Sequence, residues 1–137
     1  MKPYEFEQLV CDHYRQKGYR VQTTSASNDY GIDVFAEKKG EKIAVQVKMY
    51  GGSTRKVNRQ TMMELYGAAA YFDCTKAVLA TDGEVLTDAK EVAHKLGIDI
   101  LFIQPDRKIS MPIWITSSAD RGIRRPKGRR PGLQNIR

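Results

Sequence analysis

An α/β sandwich, a mixed sheet flanked by helices, is the fold this sequence predicts. Two observations predict it. A helix-period segment precedes three consecutive strand-like runs, and two later apolar runs each follow a further helix-period segment. The first helix is "YEFEQLVCDHYRQKGY", with Phe6, Leu9, Val10 and Tyr14 at helical spacing, Pro3 in its first turn and Gly18 as its stop. "YRVQTT" alternates and is β-branched, which predicts a strand over Tyr19–Thr24. After the loop "SASNDYG", strands are predicted at Ile32–Glu37 and Lys42–Met49, joined by the turn "KKGE". "YGGSTRKVNRQ" opens as a flexible basic loop. The second helix follows, with Met62, Leu65, Ala69 and Phe72 on one face. "KAVLAT" lacks strict alternation, as expected of a strand covered on both faces. "LTDAKEVAHKLG" predicts a third helix, capped by Thr87 and stopped at Gly97. "IDILFI" is the next strand. "ISMPIWI" is a last edge element, because Pro112 cannot serve a central strand.

The 137 residues fit one domain with a real core. No apolar run reaches membrane-spanning length, and the N-terminus has no apolar signal core, so a soluble, intracellular (cytoplasmic) protein is expected. Cys11 and Cys74 have neither disulfide-framework nor metal-type spacing and are read as buried thiols. His13 and His94 show no metal spacing and are read as helix-surface residues. No phosphate-binding glycine loop is present, so no nucleotide cofactor is expected.

The net charge of +7 is unevenly placed. Residues 121–137 carry seven of the 23 Lys and Arg and none of the 16 acids, which leaves 16 of each sign in 1–120. The division is a body at 1–118 and a basic, mobile tail at 119–137. Arg124, Arg125, Lys127, Arg129 and Arg130 of the tail are candidate contacts to nucleic-acid phosphates. Arg55, Lys56 and Arg59, in a stretch without one acid, are a second candidate grip. Tyr66, Tyr71, Phe72 and Trp114 are read as core or dimer contacts rather than base-stacking groups.

Polar residues inside the hairpin point to chemistry. With the turn at Lys38–Glu41, Glu37 faces Lys42 and Asp33 falls opposite Gln46. Lys48, two residues on, shares that face. Ile32 with Val47, Val34 with Val45 and Ala36 with Ile43 share the other, and a one-residue slip would ruin both groupings. An acid and an amide side by side suit a hard cation such as Mg²⁺, with the Val47 carbonyl as a further oxygen. Lys48 can orient water or offset phosphate charge. A second acid is expected from the first helix, which offers Glu5, Glu7 and Asp12.

"DYGIDV", "VQVK" and "ELYGA" together resemble the Mrr-like branch of the PD-(D/E)XK nuclease superfamily, related to archaeal-type Holliday junction resolvases. The resemblance runs from about Tyr4 to Ile103 and implies a restriction-endonuclease-like αβββαβ core. It implies that Asp33 binds metal and that Gln46-Val47-Lys48 stands for the acid-X-Lys element, with Gln46 in place of the usual acid. It also implies a helix-1 glutamate, assigned to Glu7 with Glu5 second; Gln60 is a weaker candidate. The function so implied is a Mg²⁺-dependent DNA endonuclease, Mn²⁺ substituting, in which Glu7, Asp33, Gln46 and Lys48 act. Cutting two strands implies a homodimer. No separate target-reading domain is visible in this length, so recognition of DNA shape or branches is expected over sequence, with an Mrr-like restriction nuclease also open. The alternative, favoured by Gln46, is a non-catalytic DNA-binding protein on a degenerate nuclease fold.

Overall fold

A computed structural model of the chain describes residues 1–24, 30–104, 106 and 108–111. Its order is α1 (Pro3–Gln16), β1 (Arg20–Thr23), β2 (Val34–Lys38), β3 (Glu41–Lys48), α2 (Arg59–Tyr71), β4 (Lys76–Thr81), α3 (Thr87–Leu96), β5 (Asp99–Ile103) and β6 (Ile109–Ser110). The strands form one mixed sheet in chain order. β1, β2 and β3 are an antiparallel meander, β3, β4 and β5 are parallel, and β6 closes the far edge antiparallel to β5. This is the predicted α/β sandwich. The mixed pattern follows from connection length. A four-residue turn can only reverse the chain, whereas the helix-bearing connections return it parallel.

The hairpin register is the predicted one: Val34 faces Val45, Ala36 faces Ile43 and Glu37 faces Lys42. Every residue of β4 after Lys76 is buried, as its unbroken apolar run requires. On one face, Phe6, Val10, Cys11 and Tyr14 of α1 pack against Val34, Ala36, Ile43, Val45, Val78 and Leu101. On the other, Met62, Leu65 and Ala69 of α2 and Ala89 and Ala93 of α3 cover Ala44, Ala77, Leu79 and Ile100. Both crossover helices lie on this second face, as two successive crossovers of one hand in one direction require. Both cysteines are buried.

Four local expectations are corrected. β2 begins at Val34, so Asp33 stands just ahead of the strand. Ile32 therefore leaves the alternation, and it packs with Ala44 in the α2–α3 core instead of beside Val47. Thr87 is the first residue of α3 rather than its cap; Leu86 occupies the cap in extended conformation with no side-chain bond. Tyr71 is 64% exposed, so of its two readings, core or dimer contact, the core one fails. Pro112, Trp114 and the tail from 119 onward lie outside the described residues. Among the described residues, no helix is long and apolar enough to cross a membrane.

Candidate active site

The ends of β2 and β3 away from their turn lie side by side. Tyr30 and Gly31, both at positive φ, turn the chain into Ile32. Gly31 is constrained twice: its φ is +80°, and a Cβ there would stand 3.0 Å from the Gln46 amide nitrogen. Thr24 anchors the same bend. Its hydroxyl donates to the Ile32 carbonyl at 2.7 Å, and its N–H donates to the Asp33 carbonyl at 3.0 Å. The bend aims Asp33 across the hairpin, where its carboxylate Oδ2 accepts the Val47 N–H at 2.7 Å.

The electrostatics of this corner are unusual for a sheet end. Burial pushes the Asp33 carboxyl above the ordinary carboxylate range, partly opposed by the Val47 N–H and the nearby Lys48 ammonium. Burial also raises Glu7 on α1, and the Asp33 carboxylate raises it further. Gln46 is 94% buried, and its Oε1 has no hydrogen-bond partner among the described residues. An orphaned buried amide oxygen is uncommon and costs roughly 1–3 kcal/mol. Two carboxylates whose charges repel and an unpaired amide oxygen are a donor set that a hard divalent cation would satisfy. Among the described residues, no three His, Cys, Asp or Glu side chains gather into a ready metal cluster. The candidate donors are therefore two acids and one amide.

The other acids of α1 are engaged locally. Glu5 accepts the Lys2 N–H at 3.0 Å, completing the helix N-terminus, and Asp12 pairs with Arg15 at 3.2 Å. Gln60 donates to Glu64 at 3.0 Å along α2. Glu7 is the α1 acid with Asp33 as its electrostatic neighbour. At Val47 the backbone group engaged with Asp33 is the N–H.

Two further residues, Thr81 and Asp82, fix the end of β3, and the sequence reading missed them. The Thr81 hydroxyl donates to the Lys48 carbonyl at 2.7 Å. Asp82 Oδ1 accepts both the Tyr50 and the Gly51 N–H, each at 2.7 Å. At Gly51 a Cβ would approach Asp82 Oδ2 to 2.6 Å, so any side chain there would displace the Asp82 carboxylate. Ser53 closes the turn by donating its N–H and its hydroxyl to the Tyr50 carbonyl. The loop expected to be flexible is thus hydrogen-bonded along its length. Its next part is tied down by the parallel bridge between Val57 and Val85. The available signal was "TDG" directly after an apolar strand, a turn sequence with an acid at the strand end.

The basic stretch is partly neutralised from a distance. Lys56 pairs with Glu84 at 3.4 Å and Arg59 with Asp88 at 2.7 Å. Arg55 instead lies over the Tyr50 ring at 4.5 Å, with Lys48 5.9 Å from the same ring. Arg124, Arg125, Lys127, Arg129 and Arg130 lie outside the described residues.

Comparison with known proteins follows this geometry. The profile of a family described as restriction endonuclease, Mrr_cat, matches residues 1–108. The uncharacterised protein y4cE of Sinorhizobium fredii is 34% identical over 111 residues, covering 73% of this chain and 27% of that protein. A UPF0102 protein of Aquifex aeolicus is 39% identical over 49 residues, 35% of this chain and 48% of its own. The chain thus spans less than half the length of either curated relative. Among solved structures, the protein of unknown function AF1548 superposes with a TM-score of 0.56 at 20% identity, over 69% of this chain and 55% of that one. The MspJI restriction endonuclease, solved with a 27-mer oligonucleotide, superposes with a TM-score of 0.51 at 15% identity, over 73% and 24%. Identities this low establish the shared restriction-endonuclease-like fold.

Proposed function

The chain belongs to the Mrr_cat restriction endonuclease family, and from that premise we propose that it is a divalent-metal-dependent DNA endonuclease with its centre at Glu7, Asp33, Gln46 and Lys48. One observation carries the proposal. At the open end of the hairpin, burial raises the carboxyls of Asp33 and Glu7, and the buried Gln46 of the same strand end has an amide oxygen with no partner among the described residues. Two raised carboxyls and an orphaned amide oxygen around one strand end are an arrangement that a bound cation would account for.

Glu7, Asp33 and the Gln46 oxygen would hold Mg²⁺ or Mn²⁺. Such a cation supplies a polarised water and charge neutralisation at the phosphate. The Val47 N–H holds Asp33 in one orientation. Lys48, close enough to Asp33 to lower its pKa, offers N–H donors to a non-bridging phosphate oxygen as charge develops. Water adds to phosphorus, one P–O ester bond breaks, and the freed sugar oxygen takes a proton. Arg55, whose charge is stacked on a ring rather than paired with an acid, is the described cation best suited to a neighbouring phosphate. Lys56 and Arg59 would exchange their acidic partners for phosphates. The tail cations would add sequence-independent, salt-sensitive affinity. A homodimer would bring two such centres to two strands. Branched DNA is the proposed preferred substrate.

The test is cleavage of junction, flap and continuous duplex DNA with Mg²⁺, with Mn²⁺ and with chelator. Metal-stimulated cutting by the wild type is expected, falling at least about 10²-fold in Lys48→Ala. Gln46→Glu should remain active with a shifted Mg²⁺/Mn²⁺ preference. DNA binding without cutting under every metal condition would instead support a non-catalytic binding protein.

A further inference from the structure

Beside the proposed centre, α2 and the bend before β2 leave an open groove of about 430 Å³. Gln46 forms its floor, Gly31 and Tyr30 one wall, and Glu64, Gly67 and Tyr71 of α2 the other. Its aromatic rim is displayed rather than buried. Tyr30 and Tyr71 are 61% and 64% exposed, and their rings stack at 5.2 Å with 30° between planes. Phe72 buttresses both rings edge-on, at 5.4 and 5.0 Å. Two large tyrosines held in one orientation yet open to solvent have not been placed there by core packing.

Gly67 keeps the groove open. It sits inside a helix, where glycine costs about 1 kcal/mol against alanine. No described turn or close contact explains it, for a Cβ there would meet nothing within 4 Å. What the missing side chain provides is space on the groove side.

We propose that this groove receives an unstacked nucleobase of the DNA strand whose phosphodiester lies at Asp33 and Lys48. The idea rests on the nuclease reading and deepens it by assigning where strand structure is read. Three features select a base over other occupants. Glu64 repels a phosphate but accepts from the ring or exocyclic N–H groups of a base. The Tyr30–Tyr71 rim offers the flat apolar surface on which bases of any sequence stack. And the floor residue, Gln46, is one of the proposed cation donors, so an occupant would be held next to the scissile phosphate. Burying the groove under a second protein chain would leave Glu64 desolvated, a cost that a base with in-plane donors avoids. Pulling one base out of a continuous duplex costs a few kcal/mol, and an unpaired one at a branch or flap costs less. The groove would therefore make cleavage prefer DNA with unpaired nucleotides, without base-specific readout.

The experiment places 2-aminopurine at each nucleotide flanking the branch of a flap duplex and measures fluorescence on binding, with Ca²⁺ replacing Mg²⁺. Wild-type protein should change the emission at one flanking position. Gly67→Phe, filling the groove from an open position, should abolish that change with an unaltered melting temperature. Tyr71→Ala, a separate variant at an exposed residue, should weaken flap binding about tenfold. In Mg²⁺, both should lower the flap-to-duplex cleavage ratio. A wild-type emission change retained in Gly67→Phe would overturn the proposal, as would a wild-type dimer that Gly67→Phe converts to monomer. A wild type that shows the emission change yet never cleaves would sink the nuclease reading and leave the base site standing.

Discussion

The two ends of the β2–β3 hairpin are built from similar residues and treated in opposite ways. At the turn end most polar groups find partners nearby. Arg20 pairs with Glu37 at 2.7 Å, the Tyr19 hydroxyl donates to Glu41, Lys38 donates to the Lys17 carbonyl, and Lys42 donates to the Phe72 carbonyl. At the open end, Asp33 and Glu7 are raised by burial, and the Gln46 oxygen goes without a partner among the described residues. Polar residues in strands are thus no signal of function by themselves. The signal is a set of polar groups that the fold leaves unsatisfied, which a ligand would satisfy.

If that contrast is real, the ends must respond differently to substitution. The largest effect is expected at Asp33. Asp33→Asn and Asp33→Ala should both cut cleavage at least about 10²-fold. They should differ in stability: asparagine keeps an oxygen for the Val47 N–H, whereas alanine leaves that donor unpaired, at about 1–3 kcal/mol. Urea melts of the two variants check this, and equal midpoints would break the assigned hydrogen bond.

Asp82→Ala should come next. It removes the acceptor of two backbone N–H groups directly after Lys48, and the end of β3 should loosen by roughly 1–3 kcal/mol. Cleavage at saturating DNA should fall about tenfold, with most of it recovered in Asp82→Asn, which retains an acceptor oxygen. Unchanged turnover in Asp82→Ala would make the clamp irrelevant to Lys48.

The pH response of the metal-free protein sharpens the comparison further. Glu7 and Asp33 bind protons more tightly in the folded chain than in the unfolded one. Between the ordinary carboxylate pKa and their raised values, the folded chain therefore holds more protons, and their contribution to stability falls as pH rises through that window. Glu7→Gln has no charge to lose there. Its melting temperature relative to wild type should climb with pH in chelator, and the gap should shrink when Mg²⁺ is added. A gap independent of pH would show that Glu7 is not raised.

The smallest effect belongs to the turn end. Arg20 is 83% exposed, so Arg20→Ala should cost no more than about 0.2–1 kcal/mol and leave cleavage untouched. A large loss of either would erase the distinction between the two ends.

The sequence by itself determined the hairpin and its register, the three helices and the nearness of Asp33 to Lys48. These depend on periodicity and turn length, which neighbours along the chain encode. It also pointed to the family, through short segments that lie close together in the chain. Only the tertiary structure decided which acid of α1 lies near Asp33, because Glu5, Glu7 and Asp12 share one helix and docking selects among them. Likewise, Glu84 and Asp88 neutralise Lys56 and Arg59 from 28 and 29 positions away, which no charge count of residues 48–59 could reveal. Ile32 changed faces because the bend at Tyr30 and Gly31 ends the strand alternation before it reaches that residue. The groove, finally, is a gap between α2 and that bend. Its existence depends on how far apart two packed elements stand, and local sequence pattern carries no measure of that distance.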